Sequence, residues 1–340
     1  MINPRFFHLS RRHLYIPLTL AIALFAGCTS NSKQENLPVK DNYTSTVAQL
    51  PEEHIITPKQ DPQIDLEKLV LKDVNVIARN INPQSRKYIA LVLESHTRYD
   101  DGAINPESLR QQPLLYDAGT QLIEGGFRNI FVESVMHQMS LETLLEGFVT
   151  LNPSVDFGEL QRAKSPNEAK QITRSKYVAK GLETSWLLAL TYPGRATFKG
   201  AESEESLLRQ MEYSDMLLRV QDVVNSGMWD HMRTRYKRNK NNEEAKDFLL
   251  EFNMTIDYVK RNYDWFMNGR SREMVDTVLT RGNGVLFVGP NHFQSISRYL
   301  SSKGINYVIF CANCKPDDVV KFEQKFREII NSLGKYKVKL

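Results

Sequence analysis

Side chains able to move protons or hold a metal sit where apolar runs of the sequence end. Glu94 and His96 follow Tyr88-Ile89-Ala90-Leu91-Val92-Leu93, and Glu133 closes Asn129-Ile130-Phe131-Val132. His292 follows Val285-Leu286-Phe287-Val288 through Gly289-Pro290-Asn291. A carboxylate that closes an apolar run must be hydrated, paired or metal-bound, because burying it alone is costly. Histidine beside such an acid can serve as a general base, the acid fixing its tautomer and raising its basicity. His96 is the expected base on a water and His292 a second base or ligand contact. The same groups suit a divalent metal such as Zn or Mn, with His96, Glu133 and His292 as candidate ligands. No HExxH-type motif is present. Arg270, which opens Arg270-Ser271-Arg272-Glu273-Met274, offers a fixed charge for an oxyanion or a substrate carboxylate. On this reading, replacing these polar groups leaves stability almost unchanged.

Such residues act together only if their runs are strands of one sheet. Apolar runs without polar alternation suit strands covered on both faces, and residues 307–310 add a fourth. Helical patterns follow at about 106–125, 139–149, 292–303 and 316–333. This alternation predicts an α/β fold with a mostly parallel sheet flanked by helices. Ligands bind such sheets outside the carboxyl ends of the strands, where Glu94, His96, Glu133 and His292 should meet. Residues 157–282 read as a largely helical insertion, with helices near 206–224 and 243–263, a short strand at 196–199 and an apolar run at 186–190. Glu202 reads as a surface acid. Arg233, Arg235, Lys237, Arg238 and Lys240, interrupted and followed by Asn and Glu, read as a solvated helix end. His54, His137 and His231 have no partner pattern.

The N-terminus carries an address. Arg5, Arg11 and Arg12 precede an apolar run over 14–25 that is short for a bilayer span, which needs about 20 residues. Phe25-Ala26-Gly27-Cys28 resembles the lipobox of bacterial lipoproteins, with Phe25 as the departure. Residues 1–27 are therefore the expected signal peptide, and Cys28 the lipidated membrane anchor. Thr29 is not the Asp that usually retains lipoproteins at the inner membrane, so a Gram-negative host would place the chain at the outer membrane. Residues 28–80 read as lipidated cysteine and flexible tether, polar enough through about 62 that ordering them has no compensation, and 81–335 as the domain. The formal net charge of +4 loses three arginines and no acid with residues 1–27, leaving about +1. That excludes the strong basic field a nucleic-acid binder needs.

Taken in order, KYIALVLESHTR, TQLIEGGFRNIFVES, GRSREMVDTVL and GVLFVGPNHFQSISRYLSSKGINYVIF resemble the ChaN, erythromycin-esterase and Tiki/TraB superfamily. The resemblance covers roughly 87–310, with the middle unmatched. It maps Glu94-x-His96 onto the ChaN-like spacing, Glu133 onto the second acid, Arg270 with Met274 onto the Arg motif, and His292 onto the last His. Leu93 stands where the family has Gly, and Ser271 where it has Asn or Asp. The superfamily includes ester hydrolases, membrane metalloproteases and a haem-binding lipoprotein. The resemblance thus implies a hydrolase of a small-molecule or peptide substrate, a haem- or ligand-binding lipoprotein without turnover, or an idle surface protein. Tyr88, Tyr99 and Tyr192 are available as haem ligands.

Cys311-Ala312-Asn313-Cys314 follows a strand and precedes a helix, as in a thioredoxin-type site, but only about 25 residues remain after it. With Cys28 lipidated, these are the two remaining cysteines, and in an oxidising compartment they are expected to form a local disulfide. Radiolabelled palmitate tests the anchor. The native chain should take up label and fractionate with membranes, and Cys28→Ser should do neither. Label retained on Cys28→Ser would rule out that anchor.

Overall fold

The computed structural model describes residues 64–95, 106–136, 155–178, 180 and 182–340. Cys28, His54, His96, Tyr99, His137 and the helix expected at 139–149 lie outside the described residues. Six strands form one sheet: β1 (Asn75–Asn80), β2 (Tyr88–Leu93), β3 (Asn129–Met136), β4 (Thr197–Glu202), β5 (Gly284–Val288) and β6 (Asn306–Cys311). Their order is β1-β6-β2-β5-β3-β4. Only β1, antiparallel to β6, breaks the parallel arrangement. The helices are α1 (Pro106–Glu124), α2 (Gly158–Gln161), α3 (Pro166–Lys176), α4 (Thr184–Thr191), α5 (Glu204–Asn225), α6 (Met228–Arg238), α7 (Glu243–Asp264), α8 (Arg270–Arg281), α9 (Phe293–Ser302) and α10 (Pro316–Ser332). The fold is α/β, with a mostly parallel sheet and a largely helical insertion in mid-chain.

Alternation along the strands sorts the core into two layers. Ala90, Val92, Ile130, Val132, Val285 and Phe287 face α1, α3 and α4. Ile89, Leu91, Phe131, Leu286 and Val288 face α8, α9 and α10. Each fully buried Leu or Ile contributes about 2 kcal/mol of apolar transfer. Gly119 lets α1 close on α4, since a Cβ there would lie 2.2 Å from Leu188 Cδ1. A third cluster joins α5, α6 and α7 with the end of α10. Local signals start the helices: Ser165 accepts from Glu168 N ahead of α3, Ser203 from Ser206 N ahead of α5, and Asn242 from Ala245 N ahead of α7.

Several expectations need correction. The tether does not extend to residue 80: Leu66, Leu71 and Val74 are buried, and β1 is part of the sheet. As a half-exposed edge strand of sequence NVIARN, β1 lacks the apolar run that marks its neighbours. By contrast the apolar run at 186–190 is helix α4, within the helical insertion as expected and buried on nearly every side. The domain also continues past 335, where Trp229 Nε1 donates to Tyr336 O at 2.7 Å and Asn253 exchanges two hydrogen bonds with Val338. The basic run closes α6 on the surface as expected. No helix of the described residues is long and apolar enough to cross a membrane.

Cys311 and Cys314 are joined as a disulfide with Cα atoms 5.8 Å apart. Thiol titration of folded, oxidised Cys28→Ser protein should find almost no free thiol before reduction. Two reactive thiols would refute the bond.

Candidate functional site

Strand ends bring a charged cluster to the carboxyl edge of the sheet. Glu133 lies in β3, Glu202 ends β4, and His292 closes the 3-10 turn Pro290–His292 that follows β5. Glu94 directly follows β2, its N–H donating to Val288 O at 3.0 Å, so it lies beside the end of β5. Into this edge comes Arg270, the first residue of α8, only 2% exposed.

A one-turn π-helix, Trp265–Gly269, gives Arg270 its direction. Upstream, α7 buries Ala245, Leu249, Phe252, Ile256 and Val259 in the helical cluster. Downstream, α8 buries Arg270, Ser271, Met274, Val275 and Val278 against the sheet and site. The extra residue of a π-turn shifts the phase of the helix between these two duties. Gly269 fits because the Trp265 ring covers it; a Cβ there would lie 2.6 Å from Trp265 Cδ1. Glu273, one turn on, accepts from Ser203 N at 3.1 Å and from Ser203 Oγ, pinning the end of β4 to α8.

Arg270 is the hub of the cluster. Its Nε and Nη2 donate to the two carboxylate oxygens of Glu202. Nη2 also reaches Glu133 Oε1 at 2.8 Å, and Nη1 lies 3.2 Å from His292 Nε2. Burial alone would lower the arginine's pKa, but the Glu202 and Glu133 carboxylates raise it beyond its ordinary value. Glu133 Oε2 accepts from Gly289 N. Ser271 Oγ gives its one hydrogen to Met267 O, so at 2.7 Å from His292 Nδ1 it is the acceptor. The ring therefore carries a proton on Nδ1, and Nε2 lies between Arg270 Nη1 at 3.2 Å and Glu133 Oε1 at 3.3 Å.

Glu94 differs from the other acids. Its Oε1 accepts from Thr184 N at 2.9 Å, at the start of α4. Burial first, then the Glu183 carboxylate and more weakly Glu133, push its pKa from 4.5 up to about 7 against the Thr184 hydrogen bonds. Glu183 accepts from Trp186 Nε1 at 2.8 Å.

The structure thus joins Glu133, Arg270 and His292 in one network and sets Glu94 on the same sheet edge with its side chain on Thr184 N, while His96 lies outside the described residues. Glu202, read from sequence as a surface acid, is wholly buried and is the main partner of Arg270. Its signal was available: it ends a parallel strand, as Glu133 nearly does. Ser271, noted as a departure, sets the His292 tautomer. Leu93, noted as the other departure, is a core residue paired with Val288 and Cys311.

Of the donors expected for a metal or haem, His96 and Tyr99 lie outside the described residues and the others are already engaged or distant. Both Glu133 oxygens and His292 Nε2 are engaged by Arg270 or Gly289, so the guanidinium fills the cation's role. Among the described residues no group of three His, Cys, Asp or Glu side chains is placed to hold a metal ion. As for haem ligands, Tyr88 begins β2, about 20 Å of strand away from Glu94. Tyr192 donates to Glu124 Oε1 at 2.9 Å, at the far end of α1. Both belong to the opposite edge of the sheet. Compared with known families, characterised proteins and solved structures, the chain matches none.

The geometry also reverses the stability expectation. Arg270→Ala would leave Glu133 and Glu202 buried without their counter-charge, a change that costs about 3–5 kcal/mol. Chemical denaturation of Arg270→Ala should show that loss, and Arg270→Met with Glu133→Leu and Glu202→Leu should recover much of it. A wild-type midpoint for Arg270→Ala would refute this account of the cluster.

Proposed function

We propose that this chain is a lipid-anchored hydrolase of ester or peptide bonds, with Glu94 as its proton-transfer group. The observation that carries the reading is the network of Glu133, Glu202, Arg270 and His292 on the carboxyl edge of one parallel sheet, where α/β proteins bind ligands, with Glu94 on the same edge at the end of β2. A base working at neutral pH is best placed with a pKa near 7, and burial beside Glu183 gives Glu94 that value. Ionised Glu94 would take a proton from the attacking water and return it to the leaving group. Arg270 acts behind it as a positioning residue. Its bonds hold Glu133, Glu202 and His292 in place. His96 would stand beside Glu94 in sequence as a second base. Cys28 would hold the domain at the membrane, at the outer membrane in a Gram-negative host, with residues up to about 62 as the tether.

Two measurements test the role of Glu94. With p-nitrophenyl esters and a peptide library as substrates, kcat/KM should rise with pH to a plateau above about 7, and Glu94→Gln should lower it about 100-fold or more. Linkage adds a readout free of activity. A carboxyl whose folded pKa is raised stabilises the fold when protonated, and that stability is lost as pH rises from 4.5 through about 7. Glu94→Gln mimics the protonated acid, so it should melt above wild type at pH 8, by up to about 3 kcal/mol, and level with it near pH 4. No hydrolysis of any substrate, or an unaltered pH profile in Glu94→Gln, would overturn the proposal.

A further inference from the structure

The Cys311–Cys314 disulfide closes the turn between β6 and α10 on the same sheet edge as the acid–arginine cluster, yet the cluster makes no use of it. Its two sulfurs are unequally placed. Cys311 ends β6 at 3% exposure, packed in the apolar layer beside its strand neighbour Leu93. Cys314 is partly exposed and immediately precedes Lys315, the N-cap of α10. Asn313 between them takes a left-handed φ of 57°, which Asn tolerates better than most residues.

We infer that this disulfide is a thiol–disulfide exchange site, attacked at Cys314 by a dithiol reductant while Cys311 is the buried leaving sulfur. Three observations carry the inference. First, only Cys314 offers an approach, since Cys311 is sealed by the layer that includes Val319 and Leu93. Second, Cys314 stands just before the N-terminus of α10, whose positive end favours a thiolate there, although Asp317 and Asp318 share that first turn. Third, the turn keeps its shape through other bonds. Asn75 Nδ2 donates to Cys314 O at 3.0 Å, Lys315 N to Asp318 Oδ2 at 3.3 Å, and Asp318 N to Lys315 O at 3.0 Å. A cross-link over so short a loop also constrains the unfolded chain little, so its loss need not unfold the domain.

The exchange balances as a two-electron, two-proton transfer. A thiolate of the dithiol attacks Cys314 Sγ, a mixed disulfide forms, and the bond to Cys311 breaks. Cys311 leaves as thiolate and takes a proton; its sulfur lies 3.8 Å from Ala312 O, which can accept the resulting S–H. The second thiolate of the reductant then attacks its own sulfur in the mixed disulfide and releases Cys314, which is protonated. The reductant departs as an internal disulfide.

The test uses the mature chain carrying Cys28→Ser, so that only these two cysteines remain. Dithiothreitol is added without denaturant, aliquots are quenched in acid and alkylated, and mass spectrometry counts free thiols while near-ultraviolet circular dichroism follows the fold. The expected result is complete reduction with the spectrum retained. Glutathione disulfide should then modify Cys314 in Cys311→Ser at least about tenfold faster than Cys311 in Cys314→Ser. A bond that resists dithiothreitol until denaturant is added overturns the inference, as does equal modification of the two single-cysteine variants. If either variant fails to fold, the dithiothreitol measurement on the parent decides.

Discussion

A guanidinium cannot be stripped of water at the end of a sheet unless carboxylates meet it there, and much of this molecule's architecture follows from how Arg270 is met. Two acids arrive from adjacent parallel strands, Glu133 from β3 and Glu202 from β4. Parallel pairing makes that possible, because it presents the carboxyl ends of neighbouring strands on one side. Two carboxylates thus share one guanidinium, and His292 Nε2 lies 3.2 Å from Arg270 Nη1 and 3.3 Å from Glu133 Oε1. Burial first, then Glu183 and more weakly Glu133, make Glu94, the next acid along the edge, ionise late.

Delivering the arginine sets demands on distant segments. α7 must satisfy the helical cluster while α8 satisfies the sheet, and one regular helix cannot turn both faces correctly. The π-turn at Trp265–Gly269 resolves the conflict at the residue before Arg270. Trp265 is braced in turn by Arg209, whose guanidinium lies 4.0 Å from the ring centre. Phe266 stacks on Tyr213 at 4.3 Å and lies under Arg270 at 5.8 Å. The helical insertion is therefore the support that aims Arg270, as well as a layer packed beside the sheet.

What could be read from sequence followed burial. β2, β5 and β6 are covered on both faces, and their apolar runs stood out. β1 is an edge strand whose residues face solvent and core in no clear rhythm, so it merged with the tether. β4, whose run is broken by Lys199 and Gly200, was seen only in part, and Glu202 at its end was lost with it. Glu94, Glu133 and His292 were legible because each follows or ends an apolar run. The metal expectation came from residue types alone, which cannot reveal that a guanidinium from 137 residues beyond Glu133 already holds their lone pairs. The π-turn leaves no periodic mark, since a single-residue phase slip looks like an ordinary helix continuing.

The network also separates His292, expected from sequence as a second base, from Glu94, expected from sequence as a partner that orients His96. His292 has its Nδ1 proton held by Ser271 and its Nε2 set between Arg270 Nη1 and Glu133 Oε1, so the ring is fixed within the cluster. Glu94 is held by one backbone N–H and has no cationic partner among the described residues, so its proton can leave without dismantling the cluster. Ser271 fits this division. An Asn or Asp at that position would bring a larger side chain to Nδ1, whereas the serine hydroxyl bridges Nδ1 to the Met267 carbonyl of the π-turn. The orientation of the histidine is thereby tied to the turn that aims the arginine.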